Sequence, residues 1–181
     1  MVAVVRAAVA IVALAASALA FAQAPLERAV KAAYVYKFLA YVDWPAAAFD
    51  APDAPFVIGV LGSDVIADEI RQIVAGRSVG ERAVQVKRLR EGESAAGLHV
   101  VFVGRAESAR LHALARSVQG QPTLVVTESP GALNAGSAIN LVVASDGRVR
   151  FEIALDAADR SGLRLSSRLL ALAQTVRPGG P

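Results

Sequence analysis

The sequence predicts an α/β fold: a single-domain three-layer sandwich. Its mixed, mostly parallel sheet of about six strands carries helices on both faces and includes a late β-hairpin. Three observations lead there. Phe56–Leu61 and His99–Val103 are short apolar runs of the kind found in strands buried on both faces. Segments with apolar residues at helical spacing lie before, between and after the strand-like runs. Near the C-terminus two further strand-like runs flank Asp146-Gly147, a dipeptide suited to a tight hairpin turn.

Taken in order, residues 1–22 read as a secretory signal peptide. Arg6 supplies a short positive region, Ala7 to Phe21 is apolar except for Ser17, and Ala20-Phe21-Ala22 puts small residues where a signal peptidase needs them. Cleavage after Ala22 would leave Gln23 as the new N-terminus. The run is short and alanine-rich for a membrane span, which must cross about 30 Å of hydrocarbon. With no cysteine to acylate, the chain is not expected to be a lipoprotein. The domain is expected over 23–177, with a flexible tail over 178–181.

Pro25 and Glu27 suit the first turn of a helix that should run to about Val42. Tyr34, Phe38 and Tyr41 fall at i, i+4 and i+7 and so share one face, while Lys31 and Lys37 fall off that line. Pro45 stops the helix, and Tyr36 and Trp44 are candidates for a partner surface. After Phe56–Leu61, Ser63 or Asp64 is a natural cap for a helix carrying Ile66, Ile70 and Val74, which Gly76 ends. Val84–Leu89 alternates like a strand with one wet face. A helix from about Ser108 to Val118 follows the strand at 99–103. Thr123–Thr127 is a further strand, and Ser129–Gly136 a turn region with a short helix. Ala138–Val143 and Val149–Ile153 form the hairpin. Asp156 to Val176 reads as helical, interrupted at Gly162, with Leu165, Leu169 and Leu172 on one face.

Charge and composition narrow the function. The 181 residues carry 19 basic and 16 acidic side chains, a net charge of +3. Loss of Arg6 with the signal lowers this to 18 against 16. Twenty of the first 22 residues are hydrophobic, so the 55% hydrophobic fraction overstates the apolar character of the rest. A nearly neutral, exported domain without a basic block argues against nucleic acid as a partner. The lack of cysteine rules out disulfides, thiol catalysis and thiolate metal sites.

Enzymatic signals are weak. His99 and His112, the only histidines, lie in different elements and do not read as a metal pair. Gly62-Ser63-Asp64 lacks the second glycine of a nucleophile elbow, so Ser63 reads as a helix cap. Gly59-Val-Leu-Gly62 lacks the lysine of a phosphate-binding loop. No catalytic residue, metal or cofactor is expected. Arg148, Arg150 and Glu152 share one face of their strand, with Val149 and Phe151 on the other. Arg160, Arg164 and Arg168 follow shortly after and extend a basic region that reads first as a solvated, salt-bridged surface and, as the alternative, as a site for an acidic patch on another protein.

Several stretches together resemble the YfiR-like family of exported regulators. They are Val30–Pro45, Phe56–Gly62, Leu98–Val103, Gly136–Leu141, Val149–Ile153 and Ala157–Leu170, in that order and spanning nearly all of the chain after the signal. The resemblance implies a periplasmic, usually dimeric α/β protein without enzymatic activity. Its implied role is to bind and repress the sensor domain of an inner-membrane diguanylate cyclase. An outer-membrane partner would sequester it, raising cyclic di-GMP and favouring biofilm. The chain departs from the family pattern at three points. Leu98-His99 stands where relatives often carry Cys-His, Lys37 where an asparagine is common, and Ala154 in place of an asparagine after Arg-Phe-Glu-Ile. Disulfide-based control is impossible here. The recurring residues carried by this chain include Lys31, Tyr34, Trp44, Pro45, Asn140, Phe151, Ser166 and Ser167. The residues expected to face a partner are Tyr36, Trp44, Arg150, Glu152 and Arg168. The alternative is a periplasmic small-ligand protein that feeds a sensor and uses the helix starts after Gly62 and Gly104 as its pocket. A third reading, an exported hydrolase, would need a polar pocket joining Ser63 or Ser129 to a histidine.

Overall fold

The structure, a computed structural model, describes residues 24–179. The signal peptide and its cleavage position between Ala22 and Gln23 lie outside the described residues.

The first helix, α1, covers residues 24–38 and turns Ala32, Val35 and Phe38 inward. Tyr34 stacks on Phe38, and both rings meet Phe151 edge-on at 5.4 Å. The helix is shorter than its apolar spacing predicts. Leu39–Tyr41 tightens into a 3-10 turn, and Val42–Asp43 leaves as a short strand, β1. The Trp44 indole N–H donates to the carbonyl of Leu39 at 3.0 Å, satisfying one of the acceptors that a helix end leaves open.

Strand β2, Phe56–Leu61, follows, and then α2, Asp64–Val74, capped by the Ser63 hydroxyl accepting from the Ile66 N–H. β3, Ser78–Val79, and β4, Arg82–Leu89, form an edge hairpin. β5, Val100–Val103, leads through a 3-10 segment, Arg105–Arg110, into α3, Leu111–Ser117. β6, Leu124–Thr127, is followed by a 3-10 turn at Ala132–Ala135, then β7, Ile139–Val143, and β8, Val149–Ala154.

The C-terminal segment departs most from expectation. It is not one interrupted helix but α4, Leu155–Arg160; β9, Arg164–Leu165; α5, Ser167–Leu172; and β10, Thr175–Arg177. β9 pairs with β1, and β10 runs parallel to β8 at the sheet edge. Of the three leucines expected on one helical face, Leu169 is buried, whereas Leu172 is 66% exposed. Pairing with distant strands overrides the local helical spacing.

The main sheet has eight strands in the order β10-β8-β7-β6-β5-β2-β4-β3. The five from β7 to β4 are mutually parallel. The hairpin makes β8 antiparallel to β7. The two strands beyond the six expected are the short edges β3 and β10. Alternation sorts the buried side chains into two cores. The larger joins Ile58, Val60, Phe102, Val126, Leu141 and Phe151 to α1 and α2. The smaller joins Leu61, Val101, Val103 and Val125 to Leu111 and Val118 around α3. The molecule is a three-layer sandwich with unequal outer layers.

Candidate partner-binding face

α3 covers only part of its side of the sheet. On β8, Phe151 and Ile153 point into the larger core, so Arg150 and Glu152 point to the opposite side. There Arg150 is exposed and Glu152 half-buried, opposite Val142 and Asn140 of β7, with Thr175 of β10 beside Glu152. The Arg150 guanidinium donates to Asp146 at 2.8 Å, and the Arg148 backbone N–H donates to the same carboxylate at 3.0 Å. That backbone bond, and then the arginine, hold the Asp146 carboxyl below its ordinary pKa. Glu152 forms no ion pair among the described residues. The outer strands thus present a surface with an ion-paired arginine and an unpaired carboxylate.

The other sequence-nominated residues do not join this surface. Arg168 is exposed on α5, which inserts Leu169 into the larger core on the opposite side of the sheet. The Tyr36 hydroxyl donates to the Ser78 carbonyl at 3.2 Å, tying α1 to edge strand β3. Trp44 is half-buried, caps α1 through Leu39, and packs edge-on against Phe56 and His99.

Of the recurring motif residues, Tyr34, Trp44 and Phe151 pack in the larger core. Lys31, expected off the buried stripe, is 4% exposed. Its ammonium reaches Glu27 at 2.5 Å and Glu128, just past β6, at 2.6 Å. The Arg105 backbone N–H also donates to Glu128, at 3.3 Å. Next to this, Thr127 Oγ1 donates to Asn140 Oδ1 at 2.8 Å and lies 2.9 Å from Ser137 Oγ, which donates to the Ile139 carbonyl. Ser166 caps α5 by accepting from the Leu169 N–H. Glu128 and Thr127 carried no local signal, because their partners lie in other elements.

At the opposite end of the strands, His99 sits among Trp44, Phe49 and Phe56, and Arg82 lies 3.7 Å over the Phe49 ring. His99 Nδ1 accepts from the Val57 N–H at 3.1 Å, which leaves the proton of the neutral ring on Nε2. Desolvation lowers its pKa below the ordinary 6.5. This histidine precedes β5, whereas Ser63 and Ser129 follow β2 and β6. A full strand length separates it from both serines, so the fold does not join His99 to Ser63 or Ser129. Among the described residues no cluster of three or more His, Asp or Glu side chains is placed to hold a metal ion.

The crevice anticipated after Gly62 and Gly104 is filled. Strand order reverses between β2 and β5, where doubly wound sheets tend to open. Here a Cβ on Gly104 would lie 2.6 Å from the Gly62 carbonyl oxygen, and one on Gly62 would lie 2.5 Å from Glu107 Cγ. A well-formed cleft lies instead between α3, the 3-10 turn before β7, α4 and β10.

The sequence profile of the YfiR/HmsC-like family matches residues 28–174, nearly the whole described stretch. The chain belongs to the YfiR/HmsC-like family. This is a family of periplasmic regulators rather than known enzymes, and no described helix of this member is long and apolar enough to cross a membrane. A solved structure, that of a conserved domain protein from Vibrio cholerae O1 biovar El Tor str. N16961, is similar at a TM-score of 0.46 and 13% identity. The match covers 67% of this chain and 54% of that one, so the YfiR/HmsC-like chain spans about half that protein's length. No curated protein sequence matches it.

Proposed function

We propose that this YfiR/HmsC-like protein is an exported, non-enzymatic regulator acting through protein–protein contact in the periplasm. It binds the sensor domain of an inner-membrane signalling protein, a diguanylate cyclase, and holds it inactive. The observation that carries this reading is the family match across residues 28–174. The uncovered outer strands support it, because a mixed polar and apolar sheet face suits a reversible contact. Repression follows if the regulator, as a homodimer, binds the inactive sensor conformation more tightly than the active one. A shift from 1:99 to 99:1 requires about a 10⁴-fold difference in affinity. An outer-membrane partner that captures the regulator would release the cyclase.

The test is intracellular cyclic di-GMP in a strain lacking the protein, complemented by the full-length chain or by one lacking residues 1–22. The expected outcome is a rise reversed only by the full-length form. Unchanged cyclic di-GMP in biofilm and planktonic growth would overturn the cyclase assignment.

A further inference from the structure

We propose that the cleft walled by α3, α4 and β10 is a binding site for a small organic anion, one with a carboxylate or phosphate on an apolar body. It lies away from the strand-end crevice expected of doubly wound sheets, its lining includes neither Arg150 nor Glu152, and it does not depend on the cyclase reading. Its volume is about 400 Å³, within the range of about 300–1,000 Å³ typical of small-molecule pockets.

The lining divides into an apolar floor and a cationic rim. Val118, Val125, Leu133, Ala138, Ala154 and Ala157 form the floor, and all six are buried. Arg116, Arg160 and Arg177 stand at the rim with one carboxylate, Asp156. Three guanidiniums against one carboxylate give +2 with His112 neutral, most of the +3 carried by the whole chain. The charge is therefore concentrated, and low-dielectric walls focus such a field toward an entering anion.

The three arginines differ in readiness. Arg177 Nη1 donates to Asn134 Oδ1 at 2.6 Å, and Arg160 Nη1 donates to Asp156 at 2.6 Å. Each fork has five donors, so a held guanidinium still offers several. The Arg116 side chain forms no hydrogen bond or ion pair among the described residues. One unpaired guanidinium beside two oriented ones matches the planar, bidentate way in which arginine holds carboxylate and phosphate.

The cleft is built by the backbone. Gly136 has φ of 102°, and a Cβ there would lie 2.7 Å from the Ala115 Cβ. Only glycine lets the turn before β7 approach α3 so closely and form that wall. The fourth wall is β10, an edge strand three residues long. An anion bridging Arg116 to Arg177 would join α3 to that edge and fix the strand beside Glu152.

Titration of the purified protein, followed by amide chemical shifts, tests the site with three aryl probes: phenylacetate, phenyl phosphate and the neutral phenylacetamide. The expected result is saturable binding of at least one anion, with shifts at Val125, Ala138 and Ala154, and none for the amide. Phenylacetate alone would indicate a carboxylate ligand, and phenyl phosphate alone a phosphate ester. R116Q should weaken binding about tenfold or more with the melting temperature unchanged, since it loses a charge-assisted contact but no internal partner. Arg150→Gln, outside the cleft, should keep full affinity. Equal binding of phenylacetamide, unchanged affinity in R116Q, or no saturable binding of either anion would each overturn the proposal.

Discussion

Phe151 and Arg150 are neighbours in one strand and belong to different worlds. Phe151 is 1% exposed and meets Tyr34 and Phe38 of α1. Arg150 points to the other side and finds only Asp146. The same contrast separates the two sides of the sheet. One is fully roofed and sealed at both strand ends, by the Lys31 ion pairs and by the Trp44–His99 aromatic group. The other carries α3 over its centre and leaves the outer strands and an arginine-rimmed cleft open. Stability is concentrated on the first side, and the second is free to carry recognition.

The sharpest way to break this contrast is Phe151→Ala. Removing a fully buried ring should cost about 3–5 kcal/mol in chemical denaturation. A loss below 1 kcal/mol would mean that the roofed face is not the stabilising one. Lys31→Met comes next. It leaves Glu128 with a 15% exposed side chain and no ammonium, and should cost about 2–3 kcal/mol, below the usual figure for a buried pair because Glu27 is partly solvated. Adding Glu128→Gln should recover a large part of that loss, which a double-mutant cycle would measure.

The aromatic end gives a smaller, pH-dependent effect. Because the pKa of folded His99 is lowered, the unfolded chain takes up its proton first as pH falls through about 6.5. Stability contributed by the neutral ring is thus complete above pH 6.5 and declines below it, with a slope of at most about 1.4 kcal/mol per pH unit, until the folded ring also protonates. Protonation puts a hydrogen on Nδ1 and removes the acceptor of the Val57 N–H. Melting curves from pH 8 to 5 should show this step, and His99→Gln should abolish it.

The smallest expected change in stability is on the open side. Arg150→Ala should alter it by no more than about 0.5 kcal/mol, as is usual for an exposed pair. Its effect belongs instead to partner affinity, measured by pull-down of the sensor domain. Combining it with Arg168→Ala separates the faces: no further loss would confine the contact to the side bearing Arg150.

Central strands were legible because burial on both faces writes itself as a contiguous apolar run, as in Phe56–Leu61. The hairpin was legible because Asp146-Gly147 suits a left-handed turn position, and Gly147 has φ of 74°. β9 and β10 were not legible. Arg164–Leu165 and Thr175–Arg177 are extended only because β1 and β8 offer them backbone partners, and Leu165, Leu169 and Leu172 meanwhile keep a helical spacing. The candidate sites show the same limit. Arg150 and Glu152 share a face by alternation alone, which the strand pattern already implied. The cleft draws Arg116, Arg160 and Arg177 from three separate segments, so no local window contains it.

The sequence by itself determined the α/β class, the central strands, the helix caps at Ser63 and the family, because each rests on spacing within one segment or on the ordered set of segments. Only the tertiary structure decided that Lys31 is buried, that Trp44 closes a helix, that Gly62 and Gly104 shut the strand-end crevice, and which side of the sheet stays open. Those outcomes depend on pairings such as Lys31 with Glu128, 97 residues apart. Their physics, desolvation and close approach, acts on neighbours in space rather than in sequence.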